Sequence, residues 1–147
     1  MGILAALGAL TLLGLRISSR WDLLAARPWK ASSAYAGCKS QCPAWGSPGI
    51  FFHTDDEQDP FIQFDLEGTH VVRRLRVENR SDGNCQSRAV PLVALTSTDG
   101  VTWTQVARQS HWFQTWDARF EPRPARYFKL MVPRRTILHL ERVSLWP

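Results

Sequence analysis

The sequence predicts an all-β protein, an antiparallel β-sandwich preceded by an N-terminal hydrophobic helix. Short runs with two-residue alternation, divided by turn residues, recur from Phe51 onward. No segment beyond the first twenty residues repeats its apolar side chains with the period of an amphipathic helix. Seven tryptophans in 147 residues must fill a core or line a binding surface, because an indole is costly to leave in water.

The elements follow in order. Residues 2–15 are apolar apart from Thr11. As a helix they would span about 21 Å, short of the ~30 Å hydrocarbon core of a bilayer. Snorkelling of Arg16 and Arg20 would extend that reach. No basic residue precedes the run, and no small-x-small cleavage site follows it cleanly. An uncleaved anchor is the assignment made here; a cleaved signal, giving a secreted protein, and a soluble amphipathic start are the alternatives. We therefore divide the chain into an anchor or signal segment (1–20), a linker (21–28) and one β-domain (29–147). Arg16 and Arg20 favour keeping their side of a membrane inside. A disulfide favours an extracytoplasmic domain, and we follow the disulfide.

The stretch up to residue 50, rich in Gly, Pro, Ser and Ala, reads as loop with one short strand. "FIQFDL" alternates apolar and polar residues. In "RRLRVEN", Leu75 and Val77 would face one side, and Arg74, Arg76 and Glu78 the other. "PLVALTS", the turn "TDG" and "VTWTQVAR" form a hairpin signature. "TWDARF", "RYFKLMV" and "LHLERVSLW" complete the set, separated by Pro122, Pro124 and Pro133. Strands at this spacing indicate a sandwich. Trp103 and Trp146 lie on strands and are expected in the core; Trp112 and Trp116 flank a turn and are expected at the surface.

The net charge of +5 and a pI near 9.6 suit acidic partners. Nucleic acid is not expected, because the arginines lack interleaved stacking aromatics. Nor is catalysis. G-x-S-x-G, H-E-x-x-H and glycine-rich phosphate loops are absent, and the four histidines are scattered. Asp55, Glu57 and Asp59 alternate like calcium ligands, but Pro60 and Leu66 occupy the places of the EF-hand glycine and glutamate, so they read as a solvated loop. Cys38, Cys42 and Cys85 are too few for a structural zinc site, and a disulfide is the simpler reading. Cys85 with either Cys38 or Cys42 would tie the N-terminal loop to an arginine-rich turn. That turn carries Arg73, Arg74 and Arg76 on its approach, then Arg80, Asp82 and Arg88.

Five stretches, "PFIQFDL", "VRRLRVENRSDG", "VALTSTDGVTWTQV", "ARYFKLMV" and "LHLERVSLW", occur in the order found in discoidin (coagulation-factor type C) domains. From Trp29 to Trp146 the chain resembles that family, whose fold is a galactose-binding-like jelly-roll β-sandwich. It is closest to the fucolectin (F-type lectin) pattern: a histidine, 26 residues, then Arg-x-Asp and a further basic residue. Here these are His53, Arg80, Asp82 and Arg88. The resemblance implies a non-catalytic lectin-like module for a fucose- or galactose-like glycan. His53, Arg80 and Arg88 would be its sugar ligands and Asp82 would hold the turn. An apolar wall must face the C–H side of the sugar, and Trp45, Phe51 and Phe52 are the candidates. The resemblance also implies structural calcium, with Glu141 at the C-terminal ligand position. The early loop "CPAWGSPG" carries no Asp or Asn, and Asn84-Cys85 stands where fucolectins have adjacent cysteines. Two alternatives have a different basis. Trp112, Phe113 and Trp116 beside Arg108 and Arg119 would dock on anionic phospholipid or a protein partner. Alternatively, Arg80 and Arg88 brace a purely structural turn.

Overall fold

The computed structural model describes residues 21–36, 50–81 and 85–147. The expected anchor lies outside those residues. Among the described residues, no helix is long and apolar enough to cross a membrane.

Strands dominate. In chain order they are β1 (Trp29–Ala31), β2 (Phe52–His53), β3 (Glu57–Gln58), β4 (Phe61–Glu78), β5 (Leu92–Ser97) and β6 (Thr104–Gln109). β7 (Thr115–Met131), β8 (Arg135–Thr136), β9 (His139–Leu140) and β10 (Arg142–Trp146) follow, and a 3-10 turn spans Gln86–Ala89. All pairing is antiparallel. The main sheet runs β1-β4-β7-β5-β6, and β10 also pairs with β4.

β4 and β7 are long enough to serve both layers of a sandwich. Residues 61–65 of β4 pair with 127–131 of β7 and carry β1 on the other edge; residues 74–78 pair with 115–119 and carry β10. Register shifts between Asp65/His70 and Val72/Arg74 separate the halves. Glu67, at φ 60, donates its N–H to Asp65 Oδ1 at 2.8 Å. These irregularities bend the ribbon from one layer into the other. Thus "FIQFDL" and "RRLRVEN", expected as separate strands, are one strand. "TWDARF" and "RYFKLMV" also join, with Pro122 and Pro124 inside β7 near the register shift, where proline is tolerated.

Alternation then sets the core. Ile62, Phe64 and Leu66 pack with Phe128 and Leu130, while Leu75 and Val77 pair directly with Leu145 and Val143; all are 0% exposed. The Phe64 and Phe128 rings lie 6.4 Å apart across the strands. Burial of each ring stabilises the fold by roughly 2–3 kcal/mol. The tryptophans depart from expectation. Trp116 is buried, whereas Trp103 and Trp146 are only half-buried, the latter beneath the Arg74 guanidinium at 5.0 Å. Residues 21–28 are not a free linker. Leu24 is 0% exposed in the core, Leu23 N–H donates to the Leu145 carbonyl at 2.8 Å, and Leu145 N–H donates to Asp22 Oδ1 at 3.1 Å.

The β5–β6 hairpin is present as expected. Asp99 Oδ1 accepts the Val101 and Thr102 N–H groups at 2.8 Å, which fixes the turn and lowers the Asp99 pKa to about 2. Gly100 sits at φ 78, and a Cβ there would meet the Tyr127 ring at 3.2 Å, so glycine is required.

Candidate functional site

One end of the sandwich gathers β2, β9, residues 79–81 and the 3-10 turn. Cross-strand pairing places His53 directly opposite His139, with ring centroids 5.4 Å apart. Arg80 comes from the end of β4. Its Nη1 approaches His139 Nε2 at 3.2 Å, and the residue is only 9% exposed. A guanidinium only donates, so Nε2 must accept and the proton of neutral His139 sits on Nδ1. That Nδ1 is buried and has no hydrogen-bond partner among the described residues. Burial, then the charges of Arg80 and His53, and lastly Arg88, push the His139 pKa down to about 4. His139 is therefore neutral near pH 7 and serves as acceptor for Arg80.

His53 is half-buried, and its Nδ1 lies 2.8 Å from the Thr54 carbonyl. A carbonyl can only accept, so Nδ1 carries the proton and Nε2 of the neutral ring is an acceptor. Tyr35 covers one side. Its N–H donates to the His53 carbonyl at 2.9 Å, its ring lies 5.0 Å from the imidazole, and half of it is exposed.

The turn is held from below. Asn79 is fully buried; Nδ2 donates to the carbonyls of Gln86 at 3.0 Å and Phe113 at 3.2 Å, and Oδ1 accepts Arg80 N–H at 2.9 Å. Arg88, half-buried on the 3-10 turn, has its carbonyl bonded by Arg134 Nη2 at 3.2 Å and Thr136 Oγ1 at 3.3 Å. Arg134 also donates to the carbonyls of Ser87 at 3.0 Å and Val90 at 2.9 Å. The other arginines of the run are scaffold: Arg74 forms a two-pronged pair with Asp117, Arg76 bonds Glu78, and Arg73 bonds the Pro147 carbonyl.

His53 and Arg80 thus meet at a further residue, His139, while Arg88 lies on the adjoining 3-10 turn. The contact of His139 with Arg80 is not readable from spacing. Phe52 needs correction. It is 3% exposed and packs against Phe51 at 4.8 Å and Trp29 at 6.3 Å, so it lies beneath the site. The same burial removes Phe51 from the wall. Tyr35, missed because "ASSAYAG" reads as loop, is the aromatic that stands beside His53. Trp45, Asp82, Cys38 and Cys42 lie outside the described residues, and so does any pairing of Cys85 with those cysteines. Glu141 is half-buried with Oε2 unpartnered among the described residues. Calcium takes six to eight oxygens, and no group of three His, Cys, Asp or Glu side chains that could hold a metal gathers among the described residues. These residues alone do not make a calcium site. The alternative docking tip also changes. Phe113 and Trp116 are 4% and 6% exposed, leaving only Trp112 of the three at the surface.

The fold is that of known carbohydrate-binding modules. The lectin domain of lectinolysin complexed with Lewis B antigen matches with a TM-score of 0.71 and 23% identity, over 85% of this chain and 95% of that one. A Streptococcus pneumoniae fucose binding module matches with a TM-score of 0.70 and 20% identity, over 85% and 94%. A fucolectin from striped bass (Morone saxatilis) serum matches with a TM-score of 0.64 and 16% identity, over 85% of this chain and 46% of that one. No curated protein sequence matches significantly. The family model described as "NedA-like, galactose-binding domain", of the F5/F8 type C group, matches residues 46–130, more than half of the 147. The chain belongs to this galactose-binding-like F5/F8 type C family.

Proposed function

We propose that the chain is a non-catalytic carbohydrate-binding module whose sugar site is built from His53, Arg80 and Arg88, with Tyr35 as its apolar wall. One observation carries the reading: His53 and Arg80, separated by 26 residues in sequence, meet at His139. Arg80 supplies a rigid fork of donors beside neutral His139. His53 Nε2 supplies an acceptor. Vicinal hydroxyls of a fucose- or galactose-like ring satisfy both, one oxygen accepting from Arg80 while a neighbouring O–H donates to His53. Arg88, steadied by Arg134, adds further donors, and the exposed face of Tyr35 receives the C–H side of the ring.

Asp82 is assigned to the turn and Trp45 to the wall, on the resemblance. Glu141 takes the place of a calcium ligand on the same basis. The apolar residues 2–15 support attachment at a membrane, and a disulfide would favour the module outside the cytoplasm. The test is a glycan array probed with the full chain, beside sedimentation with phosphatidylserine liposomes. Binding to fucose- or galactose-terminated glycans, displaced by the free sugar, is expected. A blank array with strong liposome binding would refute the reading.

A further inference from the structure

The loop between β6 and β7 (residues 110–114) is bound to the turn that carries Arg80. Asn79 N–H donates to the Gln114 carbonyl at 2.9 Å, and Asn79 Nδ2 donates to the Phe113 carbonyl at 3.2 Å. In return, Gln114 Nε2 donates to the Asn79 carbonyl at 2.9 Å and to the Arg80 carbonyl at 3.4 Å. Phe113 and Trp116 anchor the loop from below, both buried, with their ring centroids 6.3 Å apart. Its far side is closed by Arg108 Nε on Ser110 Oγ at 3.1 Å and by His111 N–H on Gln109 Oε1 at 3.2 Å. The loop and the Arg80 turn are thus held as one unit.

This packing leaves two groups on the loop for a ligand. Trp112 is 64% exposed, more than any other described tryptophan, although an indole is costly to leave in water. Gln114 is exposed and directs its amide hydrogens to the Asn79 and Arg80 carbonyls, while its Oε1 accepts no hydrogen bond among the described residues. Trp112 lies two positions from Gln114, at most roughly 7 Å along the chain. An acceptor and then an apolar plate therefore follow Arg80 along one rim. The exposed side chains around the indole, Ser110, His111 and Gln114, are polar, which suits a sugar ring better than a bilayer. We propose that the site at Arg80 continues onto this loop and that its ligand is an oligosaccharide. The terminal fucose- or galactose-like ring sits at His53 and Arg80, and a following ring stacks on Trp112 and donates a hydroxyl to Gln114 Oε1. This extension rests on the sugar site proposed above.

The test is titration of the full chain with fucose, galactose and the trisaccharide fucosyllactose, in the wild type, Trp112→Ala and Trp112→Phe, beside thermal melts. Fucosyllactose should bind the wild type about ten-fold more tightly than the better monosaccharide. Trp112→Ala should erase that advantage and Trp112→Phe should keep part of it. Both should leave monosaccharide affinity and melting temperature unchanged, because the ring lies outside the core. A wild type that binds none of the three sugars overturns the sugar site and this extension together. Monosaccharide binding with no advantage for the trisaccharide, or an advantage that survives Trp112→Ala, overturns the extension alone. So does a Trp112→Ala chain that loses phosphatidylserine liposomes but keeps fucosyllactose, which would make Trp112 a lipid-docking tip.

Discussion

His139 makes the fold acid-sensitive in a pH window of its own. The residue is 0% exposed, and its pKa falls from the ordinary 6.5 to about 4 because burial, Arg80, His53 and Arg88 all oppose its protonation. An unfolded chain takes up that proton near pH 6.5; the folded chain resists it to about pH 4. Stability is therefore complete above pH 6.5 and lost as pH falls toward 4. With those two values the loss is about 2 kcal/mol by pH 5 and about 3 kcal/mol by pH 4. Urea unfolding of the full chain from pH 7.5 to 4 should follow this curve. His139→Gln retains an acceptor for Arg80 but does not titrate, so its curve should be flatter by that amount. Asp99 acts in a separate window: its pKa near 2 means that its contribution is lost only as pH falls from 3.8 toward 2. Equal pH dependence of wild type and His139→Gln between pH 6.5 and 4 would refute the assignment of Arg80 and His139 as a charged donor on a buried neutral acceptor.

Tyr35→Ala should weaken glycan binding and leave thermal unfolding nearly unchanged, because half of that ring is exposed. Phe52→Ala should behave oppositely, losing about 3–5 kcal/mol of stability through the cavity it leaves; urea melts beside glycan titrations separate the two. Chelator should lower the melting temperature of the full chain only slightly if Glu141 lacks a full set of calcium ligands. A large drop would show that residues beyond those described complete an ion site.

Local patterns carried much of the fold. "FIQFDL" placed Ile62, Phe64 and Leu66 on the core side, and "TSTDGVTW" contained the hairpin, with Asp99 accepting two turn amides and Gly100 at positive φ. What sequence did not carry was continuity across the bends. Glu67-Gly68 and the prolines at 122 and 124 are turn residues by composition, yet long antiparallel pairing holds them inside β4 and β7. The tryptophans were misassigned for a related reason. Strand membership does not say which face meets the other layer, and Trp103 faces Lys129 on the solvent side. At the site, the spacing of His53 and Arg80 was legible because it is local to the motif. His139 was legible only as apolar-flanked, since its role depends on β2 and β9 pairing across 85 residues of intervening chain.

The central claim is that Arg80 holds a sugar rather than only bracing its turn. It is tested most directly by the affinity of full-length wild type and Arg80→Lys for a fucose- or galactose-terminated glycan, measured well below the melting point of each. Arg80 is buried against His139, so the variant should also melt lower; affinity of the folded fraction is the deciding quantity. The account predicts a loss of about ten- to a hundred-fold, the equivalent of roughly 1.5–3 kcal/mol, because an ammonium cannot reproduce the guanidinium fork. Unchanged affinity in folded Arg80→Lys would contradict it.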